Sequence, residues 1–449
     1  MTIIESNEQS AFARTVHTLR YRWRDIARSA RDVFIRAPHP DLPRRDIERV
    51  RAEIAACIEA RGGEVSSRAR AASLGRAYLT LSATGRRQFL TILAEFRPER
   101  EPIERLAAQL PAGENPTYHA AIEALRAALE SPANKLFAQF NSLPDGIKFL
   151  VDLRAELLLF ASADAALARL EADLRGLLRS WFDIGFLDLR RITWDAPASL
   201  LEKLAGYEAV HEVRNWSDLK NRLDADRRCF AFFHPLMPNE PLIFIEVALV
   251  NELSGSIEAL LDQAAPLGDP SGASAAIFYS ISNCQKGLAG ISFGNALIKR
   301  VVDALGRDVP NIRTYATLSP IPGFRTWLEG RGAESEALLS TLAKRAWHRN
   351  PEIATGLREP LMRLCAHYLF EERRRGRHAL DPVADFHLSN GARMERLNWL
   401  ADRSARGLRE SCGMMVNYLY RFDQIDENHE AYVTEGKIAA APAIKNLAG

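Results

Sequence analysis

The stretch that reads AAIFYSISNCQKGLAGISFG (275–294) and continues NALIKRVVDALGRDVPNIRTYATL (295–318) decides the fold of this chain. The apolar run Ala275–Ile281 predicts a buried strand. Asn295–Leu305 predicts a helix with one apolar face, and Arg313–Leu318 predicts a second strand. A strand, a glycine-rich loop, a helix and a strand in this order are typical of a mixed α/β domain.

The loop between that strand and that helix has two interpretations. Its three glycines, Gly287, Gly290 and Gly294, allow the backbone to approach a ligand closely. Free N–H groups and the helix dipole at the start of the next helix favour an anion such as a pyrophosphate, and Lys286 adds a positive charge. The alternative is a tight connection that binds nothing, because the glycine spacing of neither the Rossmann fold nor the phosphate loop is present.

The chain before this unit predicts a helical bundle. The clearest helix is predicted over Val151–Phe182, where large apolar residues recur at helical spacing. These residues are Leu167, Leu170, Leu174, Leu177, Leu178 and Trp181. The bundle carries no paired Glu or His motif, so we expect it to pack on itself or on another subunit. A homo-oligomer built through this helical part is therefore predicted.

Further strand patterns flank the central unit on its N-terminal side. Cys229–His234 and Leu242–Leu249 predict two more strands, and Leu200–Gly206 predicts a short helix. The predicted fold class is α + α/β, with a helical domain over residues 1–189 and a mixed α/β domain over residues 190–449.

Composition excludes several classes of function. The formal net charge is only +2, from 59 basic and 57 acidic residues, so bulk attraction to nucleic acid is not expected. The five cysteines contain no Cys-x-x-Cys pair, which argues against a zinc site or a disulfide framework. They are Cys57, Cys229, Cys284, Cys365 and Cys412.

No apolar run is long enough to span a membrane, so no membrane partner is expected. Residues 1–10 lack the apolar core of a secretory signal. The basic stretch Arg14–Arg36 resembles a transit peptide, but Asp25 and Asp32 argue against that interpretation. We therefore predict a cytoplasmic protein.

Ser319 and His387 are the candidate reactive residues. Ser319 follows the second strand of the unit, and ligands of open sheets gather beyond the carboxyl ends of strands. The simpler alternative is a turn, which Ser-Pro favours. His387 is either a reactive or a structural histidine, with His234 as a rival. Asp385, two residues before His387, is a candidate to orient its ring.

Four segments resemble malonyl-CoA decarboxylase, a family that shares the coenzyme A-binding core of the GCN5-related acetyltransferase fold. They are LSPIPGF (318–324), DPVADFHLSNGA (381–392), NWLAD (398–402) and SCGMMVNY (411–418). The glycine loop is also similar to the family version, Gln-x-Gly-Leu-x-Gly, at residues 285–290. The resemblance spans most of residues 190–432.

This resemblance implies a GCN5-related acetyltransferase-like mixed α/β domain and a carboxy-lyase that converts malonyl-CoA to acetyl-CoA and carbon dioxide. It implies Ser319 and His387 as the catalytic pair and Tyr420 as a further active-site residue. It also implies that a run of the glycine loop lines the malonyl-CoA site. The run consists of Ala289, Gly290, Ile291, Ser292, Phe293, Gly294 and Asn295.

The residue types suit the chemistry of a malonyl thioester. Loss of carbon dioxide leaves an enolate, which hydrogen-bond donors stabilise and which a proton donor must quench. Histidine, with an ordinary pKa near neutrality, suits that donor. The thioester is itself the electron sink, so no metal, biotin, pyridoxal or thiamine cofactor is expected.

Several alternatives stay open. Ser319 is either a hydrogen-bonding residue that assists proton transfer or a nucleophile that carries an acyl group. An acyl-CoA-dependent acyltransferase and a non-catalytic malonyl-CoA-binding protein are the rival functions. The basic run Arg373–Arg377 predicts a solvated loop, and the alternative is a contact with the 3′-phosphate of coenzyme A.

Overall fold

Helices form the N-terminal part of the chain in the computed structural model, which describes residue 23 and residues 38–111, 113–114, 116–291, 296–344, 346–374 and 376–449. They are α1 (Arg44–Ile58), α2 (Gly63–Thr80), α3 (Ala83–Glu95), α4 (Arg100–Ala108), α5 (Pro116–Leu129), α6 (Pro132–Asn141), α7 (Gly146–Ala161) and α8 (Ala165–Trp181). Their core includes edge-to-face aromatic contacts of Tyr78 with Phe89 and Phe149, with ring centroids 5.1 and 5.7 Å apart.

The prediction of one helix over Val151–Phe182 was wrong, because the chain breaks between α7 and α8. Asp164 caps α8, since its side chain accepts hydrogen bonds from the amides of Ala166 and Leu167. An aspartate at this position stabilises a helix start more than a helix interior. The apolar face of α8 is buried through Leu167, Leu170, Leu174 and Leu178.

Strands and helices alternate in the remainder of the chain. The elements are β1 (Asp188–Ile192), α9 (Ala198–Tyr207), α10 (Trp216–Asn221), β2 (Arg227–His234), β3 (Met237–Val250), α11 (Ile257–Leu260), β4 (Ala275–Asn283), α12 (Ala296–Asp308), β5 (Thr314–Thr317), β6 (Ser319–Pro320), α13 (Phe324–Gly330), α14 (Glu336–Leu342), α15 (Pro351–Phe370), β7 (Arg373–Arg374), β8 (His378–Ala379), α16 (Pro382–Ser389), β9 (Arg393–Asn398), α17 (Ala405–Ser411), β10 (Met415–Leu419), α18 (Ile425–Glu435) and α19 (Pro442–Ala448).

The main sheet has the strand order β1-β2-β3-β4-β5-β10-β6, and β9 pairs with β10. Strands β4 and β5 run parallel, whereas β3 and β4 are antiparallel, so the sheet is mixed. The predicted strands Cys229–His234, Leu242–Leu249 and Ala275–Ile281 lie inside β2, β3 and β4, and Arg313–Leu318 exceeds β5 by one residue at each end. The predicted α + α/β class is confirmed.

The described residues divide into two compact units. The first contains the chain up to Phe186, the segment His234–Glu240 and residues 285–291 of the glycine-rich loop. The second contains Leu187–Phe233, Pro241–Cys284 and the described residues that follow the loop. The expected division at residues 189/190 falls inside β1.

Four expectations concern smaller features of the chain. All five cysteines are buried and free of disulfides. In the basic run Arg373–Arg377, Arg374, Gly376 and Arg377 are exposed, as expected of a solvated segment, and Arg373–Arg374 form the short strand β7, which pairs with β8; Arg375 lies outside the described residues. Residues 1–22 and 24–37, on which the interpretation of leader sequences rests, also lie outside them. None of the helices in the described part is both long and apolar enough to span a membrane.

Candidate active site

Ser319 lies where the chain leaves one strand partner for another. Strand β5 pairs with β4 up to the pair Phe278 and Thr317, while β4 itself continues to Asn283. Two residues later, Ser319 pairs with Val416 of β10. The serine is thus placed at the edge where β5 and β4 separate, beyond the carboxyl end of β5, as the sequence predicted.

His387 lies in the last turn of the short helix α16. Asp381 caps the start of this helix by accepting hydrogen bonds from the amides of Val383 and Ala384. The second carboxylate oxygen of Asp381 accepts from the amide of Gly323, at 3.2 Å. Asp381 therefore connects the helix that carries His387 to the Ser-Pro-Ile-Pro-Gly segment that carries Ser319.

The structure brings Ser319, His387 and Tyr420 into one chain of hydrogen bonds. The Nε2 atom of His387 lies 3.0 Å from the Oγ atom of Ser319, and its Nδ1 atom lies 2.8 Å from the hydroxyl of Tyr420. His387 is 3% exposed, Ser319 is 5% exposed and Tyr420 is 2% exposed. These three sequence candidates are therefore neighbours in a site that is largely shielded from water.

The direction of these hydrogen bonds follows from a count of hydrogens. The hydroxyl of Ser319 donates its single hydrogen to the Oγ1 atom of Thr317, at 2.8 Å. The contact between Ser319 and His387 then requires a hydrogen on Nε2. A neutral imidazole carries one N–H, so Nδ1 is bare and accepts from the hydroxyl of Tyr420.

Burial sets the protonation states of His387 and Tyr420 in this series of hydrogen bonds. Loss of water around the ring lowers the pKa of His387 to about 3, so the imidazole is neutral near pH 7. Burial also raises the pKa of the Tyr420 hydroxyl, which keeps its proton. The pKa of this histidine thus lies below the ordinary value of the residue type, because a buried ring has little solvent to stabilise its charged form.

Asp385 does not orient His387. Its carboxylate instead pairs with Arg374 at 2.8 Å and with the Nδ1 atom of His378 at 3.0 Å, and it accepts a hydrogen bond from the hydroxyl of Tyr432. On a helix, residues two apart point to different sides, which explains why the proposed pairing fails.

A buried amide network supports the strand that carries Ser319. The side-chain N–H of Asn417 donates to the backbone carbonyls of Thr317 and Ser254, at 2.7 and 3.0 Å. Its oxygen accepts from the side chain of Asn398 at 2.8 Å. Asn398 and Asn417 belong to two of the four quoted motifs, and the network gives both residues a structural function.

The glycine-rich loop is described only in part. Residues 286–288 form a 3₁₀ turn, after which Ala289 and Gly290 are exposed and Ile291 is buried. The amides of Ala289 and Ile291 donate to the carbonyls of Lys286 and Leu288 within the turn. Ser292, Phe293, Gly294 and Asn295, which complete the expected substrate site, lie outside the described residues.

A buried arginine fastens this loop to helix α7. Both η nitrogens of Arg154 donate to loop carbonyls, one to Gly287 and the other to Ala289, the latter at 2.8 Å. Glu171 on α8 accepts from the same guanidinium, at 2.7 and 2.9 Å. A Cβ atom on Gly287 would lie 1.7 Å from the carbonyl oxygen of Val151, so only glycine fits here.

His234, the rival histidine, has a structural role in the first unit. Its Nδ1 atom accepts from the amide of Leu236 at 3.1 Å, which leaves the hydrogen on Nε2. Nε2 lies 3.1 Å from the carbonyl oxygen of Trp181 and donates to it. Both ring nitrogens are thus engaged by the backbone.

The sequence interpretation missed Thr317, Asn417 and Arg154. Thr317 had a signal, because residues two apart on a strand face the same side, and Thr317 precedes Ser319 by two. Arg154 also had one, since it is a cation, like Lys148, in the mostly apolar helix α7. Over the described part of the chain, we find no group of three or more His, Cys, Asp or Glu side chains arranged to hold a metal ion.

Comparisons with known proteins agree across the chain. Residues 185–448 match the family model described as malonyl-CoA decarboxylase C-terminal domain, and residues 96–182 match the corresponding N-terminal domain. The mitochondrial malonyl-CoA decarboxylase of Anser anser anser is 40% identical over 342 residues, which cover 69% of this chain and 68% of the relative. That of Rattus norvegicus is 39% identical over 356 residues, which cover 72% of each.

Solved structures give the same result. The crystal structure of malonyl-CoA decarboxylase from Rhodopseudomonas palustris is 40% identical, with a TM-score of 0.84, and the match covers 89% of this chain and 99% of the other. The protein of the same name from Agrobacterium vitis has the same identity and TM-score and covers 89% and 100%. With both parts of its length matched in this way, the chain belongs to the malonyl-CoA decarboxylase family.

Proposed function

We propose that this protein decarboxylates malonyl-CoA to acetyl-CoA and carbon dioxide, with Ser319 and His387 as the catalytic pair. The observation that carries the proposal is the 3.0 Å contact between the Nε2 atom of His387 and the hydroxyl of Ser319, in a chain that belongs to this family. The hydroxyl of Tyr420 forms a hydrogen bond with the second nitrogen of the imidazole, Nδ1. The rest of the reaction follows from what a malonyl thioester requires.

The reaction breaks the bond between the α-carbon and the carboxylate carbon. The electron pair of this bond moves onto the α-carbon and the thioester oxygen as an enolate, and carbon dioxide leaves. A proton then bonds to the α-carbon and gives acetyl-CoA, so each turnover takes one proton from solvent. The protein must therefore supply donors for the enolate oxygen and a proton for carbon.

His387 suits the role of proton donor through its Nε2–H. The neutral ring already carries its hydrogen on the nitrogen next to Ser319. The Tyr420 hydroxyl at Nδ1 stabilises electron density on the ring as that hydrogen leaves. The carboxylate of a bound malonyl group also favours a more protonated histidine, since a nearby negative charge raises its pKa.

The same geometry favours the hydrogen-bonding role of Ser319 over the nucleophilic one. A serine nucleophile needs its hydrogen directed at a base, whereas Ser319 directs it at Thr317. In this arrangement the serine oxygen accepts from His387 and its hydrogen can turn to an anion in the site. We infer that Ser319 hydrogen-bonds the departing carboxylate or the enolate oxygen.

For the substrate, we propose malonyl-CoA with the glycine loop at its phosphates. Ala289 and Gly290 are exposed, and Arg154 holds the loop from its buried side. The proposal includes Ile291, Ser292, Phe293, Gly294 and Asn295 as substrate-binding residues, as the sequence resemblance implies. No metal or organic cofactor takes part, because the thioester accepts the electron pair.

The decisive experiment incubates the purified chain with malonyl-CoA and no acceptor. We expect stoichiometric acetyl-CoA and carbon dioxide. An acyltransferase would instead require an added acceptor such as an amine, and a non-catalytic binding protein would bind malonyl-CoA without turnover. Either result would contradict the proposal.

Two variants test the pair. His387→Ala should reduce turnover about 10²- to 10⁴-fold with a smaller effect on KM. Ser319→Ala should lower kcat by the equivalent of about 2–4 kcal/mol and leave KM close to its original value. An acyl group trapped on Ser319 of the unmodified protein would favour the nucleophile, and a change in KM alone would make Ser319 a binding residue.

We also propose a homo-oligomer built through the helical part, residues 1–189. Helices α4 and α5 contain no buried residue among those described, although both are amphipathic, and Leu129 is 53% exposed. Light scattering at micromolar concentration should give a multiple of the 50.2 kDa chain mass. A monomer would contradict this proposal, and Leu129→Glu should weaken the assembly.

For localisation we propose the cytoplasm, although the relatives from Anser anser anser and Rattus norvegicus are named as mitochondrial. Fractionation of the source cells with antibody detection tests this proposal. Recovery of the protein in an organelle fraction would overturn it.

A further inference from the structure

Thr317 occupies a defined place beside the catalytic pair. It ends β5, is fully buried, and lies two residues before Ser319, so the two side chains emerge on the same side of the chain. The Oγ1 atom of Thr317 accepts the hydrogen of the Ser319 hydroxyl at 2.8 Å. It also accepts the backbone N–H of Tyr418 at 3.1 Å.

In both bonds the Thr317 oxygen is the acceptor. A backbone amide can only donate, so the Tyr418 N–H uses one of the two lone pairs of Oγ1, and the Ser319 hydroxyl uses the other. The threonine backbone is held as well, because the side chain of Asn417 donates to its carbonyl at 2.7 Å. The Ser319 hydroxyl therefore meets a preformed acceptor in a fixed position.

We propose that Thr317 is a positioning residue that sets the tautomer of His387 by keeping the hydrogen of Ser319 directed away from the imidazole. This inference rests on the proposed function of His387 as proton donor. With the serine hydrogen on Thr317, Nε2 must carry the imidazole hydrogen in order to bond Ser319, and Nδ1 is left to accept from Tyr420.

Removal of the threonine oxygen reverses the direction of the hydrogen bonds that join Ser319, His387 and Tyr420. The Ser319 hydroxyl then has the Nε2 atom of His387 as its nearest acceptor, at 3.0 Å. A bare Nε2 places the ring hydrogen on Nδ1, and the Tyr420 hydroxyl must accept where it previously donated. The two hydrogen bonds of the His387 ring, to Ser319 and to Tyr420, are kept in reversed direction, but the nitrogen next to Ser319 no longer has a hydrogen to give.

The test compares Thr317→Val with Thr317→Ser. Valine has the shape of threonine without the hydroxyl, whereas serine keeps the hydroxyl as an acceptor. We expect Thr317→Val to lower kcat about 10- to 100-fold while KM for malonyl-CoA changes less than about threefold. Thr317→Ser should keep most of the kcat of the unmodified protein. Equal rates for Thr317→Val and the unmodified protein would overturn the inference.

A spectroscopic measurement separates this role from a structural one. In protein labelled with ¹⁵N-histidine, the His387 resonances (assigned by their loss in His387→Gln) should report a hydrogen on Nε2. In Thr317→Val they should report a hydrogen on Nδ1. A slower variant with an unchanged tautomer would show that Thr317 acts only on the packing, and the inference would be wrong.

A double variant guards against a general effect on folding. If Thr317 acts through Ser319, then Thr317→Val should reduce kcat no further in protein that already carries Ser319→Ala. A further loss of the same factor would contradict the inference. Failure of the proposed function is distinct, because unmodified protein would then form no acetyl-CoA, while the tautomer measurement needs no turnover.

Discussion

The phenol ring of Tyr418 stacks on the imidazole of His387, with ring centroids 4.6 Å apart and 25° between the planes. Tyr418 is fully buried, and its hydroxyl has no hydrogen-bond partner among the described residues. The ring, and not the hydroxyl, is therefore what Tyr418 contributes to the site. Stacked aromatic pairs of this kind contribute about 0.5–1.5 kcal/mol beyond the area they bury.

Two substitutions of Tyr418 should separate its ring from its hydroxyl. Tyr418→Phe keeps the stacked ring, so we expect kcat within about threefold of the original and an unchanged or slightly raised melting temperature. Tyr418→Leu removes the flat surface and should lower kcat about tenfold or more, because the imidazole can then leave its plane. Steady-state assays and thermal unfolding of both variants give the comparison. Equal rates in the two would show that stacking is unimportant.

Tyr420 contributes its hydroxyl to the same imidazole. Tyr420→Phe leaves the Nδ1 atom of His387 as a buried acceptor without its donor, which costs about 1–3 kcal/mol. We expect kcat to fall about 10- to 100-fold with little change in KM, since the hydroxyl acts on His387 and the substrate contacts are unchanged. Tyr418→Phe is the matched control, because it removes a buried hydroxyl two residues away. A rise in KM without loss of kcat would make Tyr420 a substrate-binding residue.

Much of the fold followed from local patterns. Apolar runs such as Ala275–Ile281 and the amphipathic helix after the glycine loop predicted β4 and α12 because burial on a sheet or helix face has a fixed period. The pattern failed between α7 and α8, where one helix ends at Ala161 and Asp164 caps the start of the next. A capping side chain interrupts a helix without changing the spacing of the apolar residues, so periodicity alone does not reveal it.

The sequence named the reactive residues of the site but not the residues that support them. Motif resemblance named Ser319, His387 and Tyr420, which the structure places together, although 68 residues separate the first two. Residue type alone does not give the lowered pKa of His387, because the degree of burial depends on side chains from distant elements. The positions of Thr317 and Asn417 relative to the site depend on the pairing of β10 with both β5 and β6, and sequence patterns do not give strand partners.

Arg154 should control the affinity of the protein for its substrate. Arg154→Met removes the two hydrogen bonds that hold the loop carbonyls and leaves the buried carboxylate of Glu171 4.0 Å from the half-exposed Arg175. Loss of one partner of a buried ion pair costs about 3–5 kcal/mol, so this single variant should unfold at lower denaturant concentration. We also expect KM for malonyl-CoA to rise about tenfold, because the loop loses its anchor.

A double variant separates the effect on the loop from the effect on stability. Replacement of Arg154 by Met and Glu171 by Leu together leaves no unpaired charge, so stability should largely return while KM stays high. Arg126→Met, at a position 72% exposed on α5, controls for the loss of a guanidinium. If KM returned together with stability, the loop would not depend on Arg154.

The buried imidazole of His387 should make the protein sensitive to acid. Burial lowers its pKa to about 3, whereas an unfolded chain titrates near its ordinary value of about 6.5. Between these values the unfolded chain binds the proton and the folded one does not, so stability falls as the pH falls. From pH 7 to pH 5 this group alone should cost about 2 kcal/mol. The buried His211, whose pKa burial also lowers to about 3, has an effect of the same sign.

His387→Gln should therefore lose less stability than the unmodified protein over this interval, as measured by denaturant unfolding at the two pH values. His119→Gln, at an exposed position of α5, is the control and should behave as the unmodified protein does. An equal loss of stability in His387→Gln and in the control would mean that His387 is protonated or solvated in the folded protein, and the neutral Nε2–H assigned to it would be wrong.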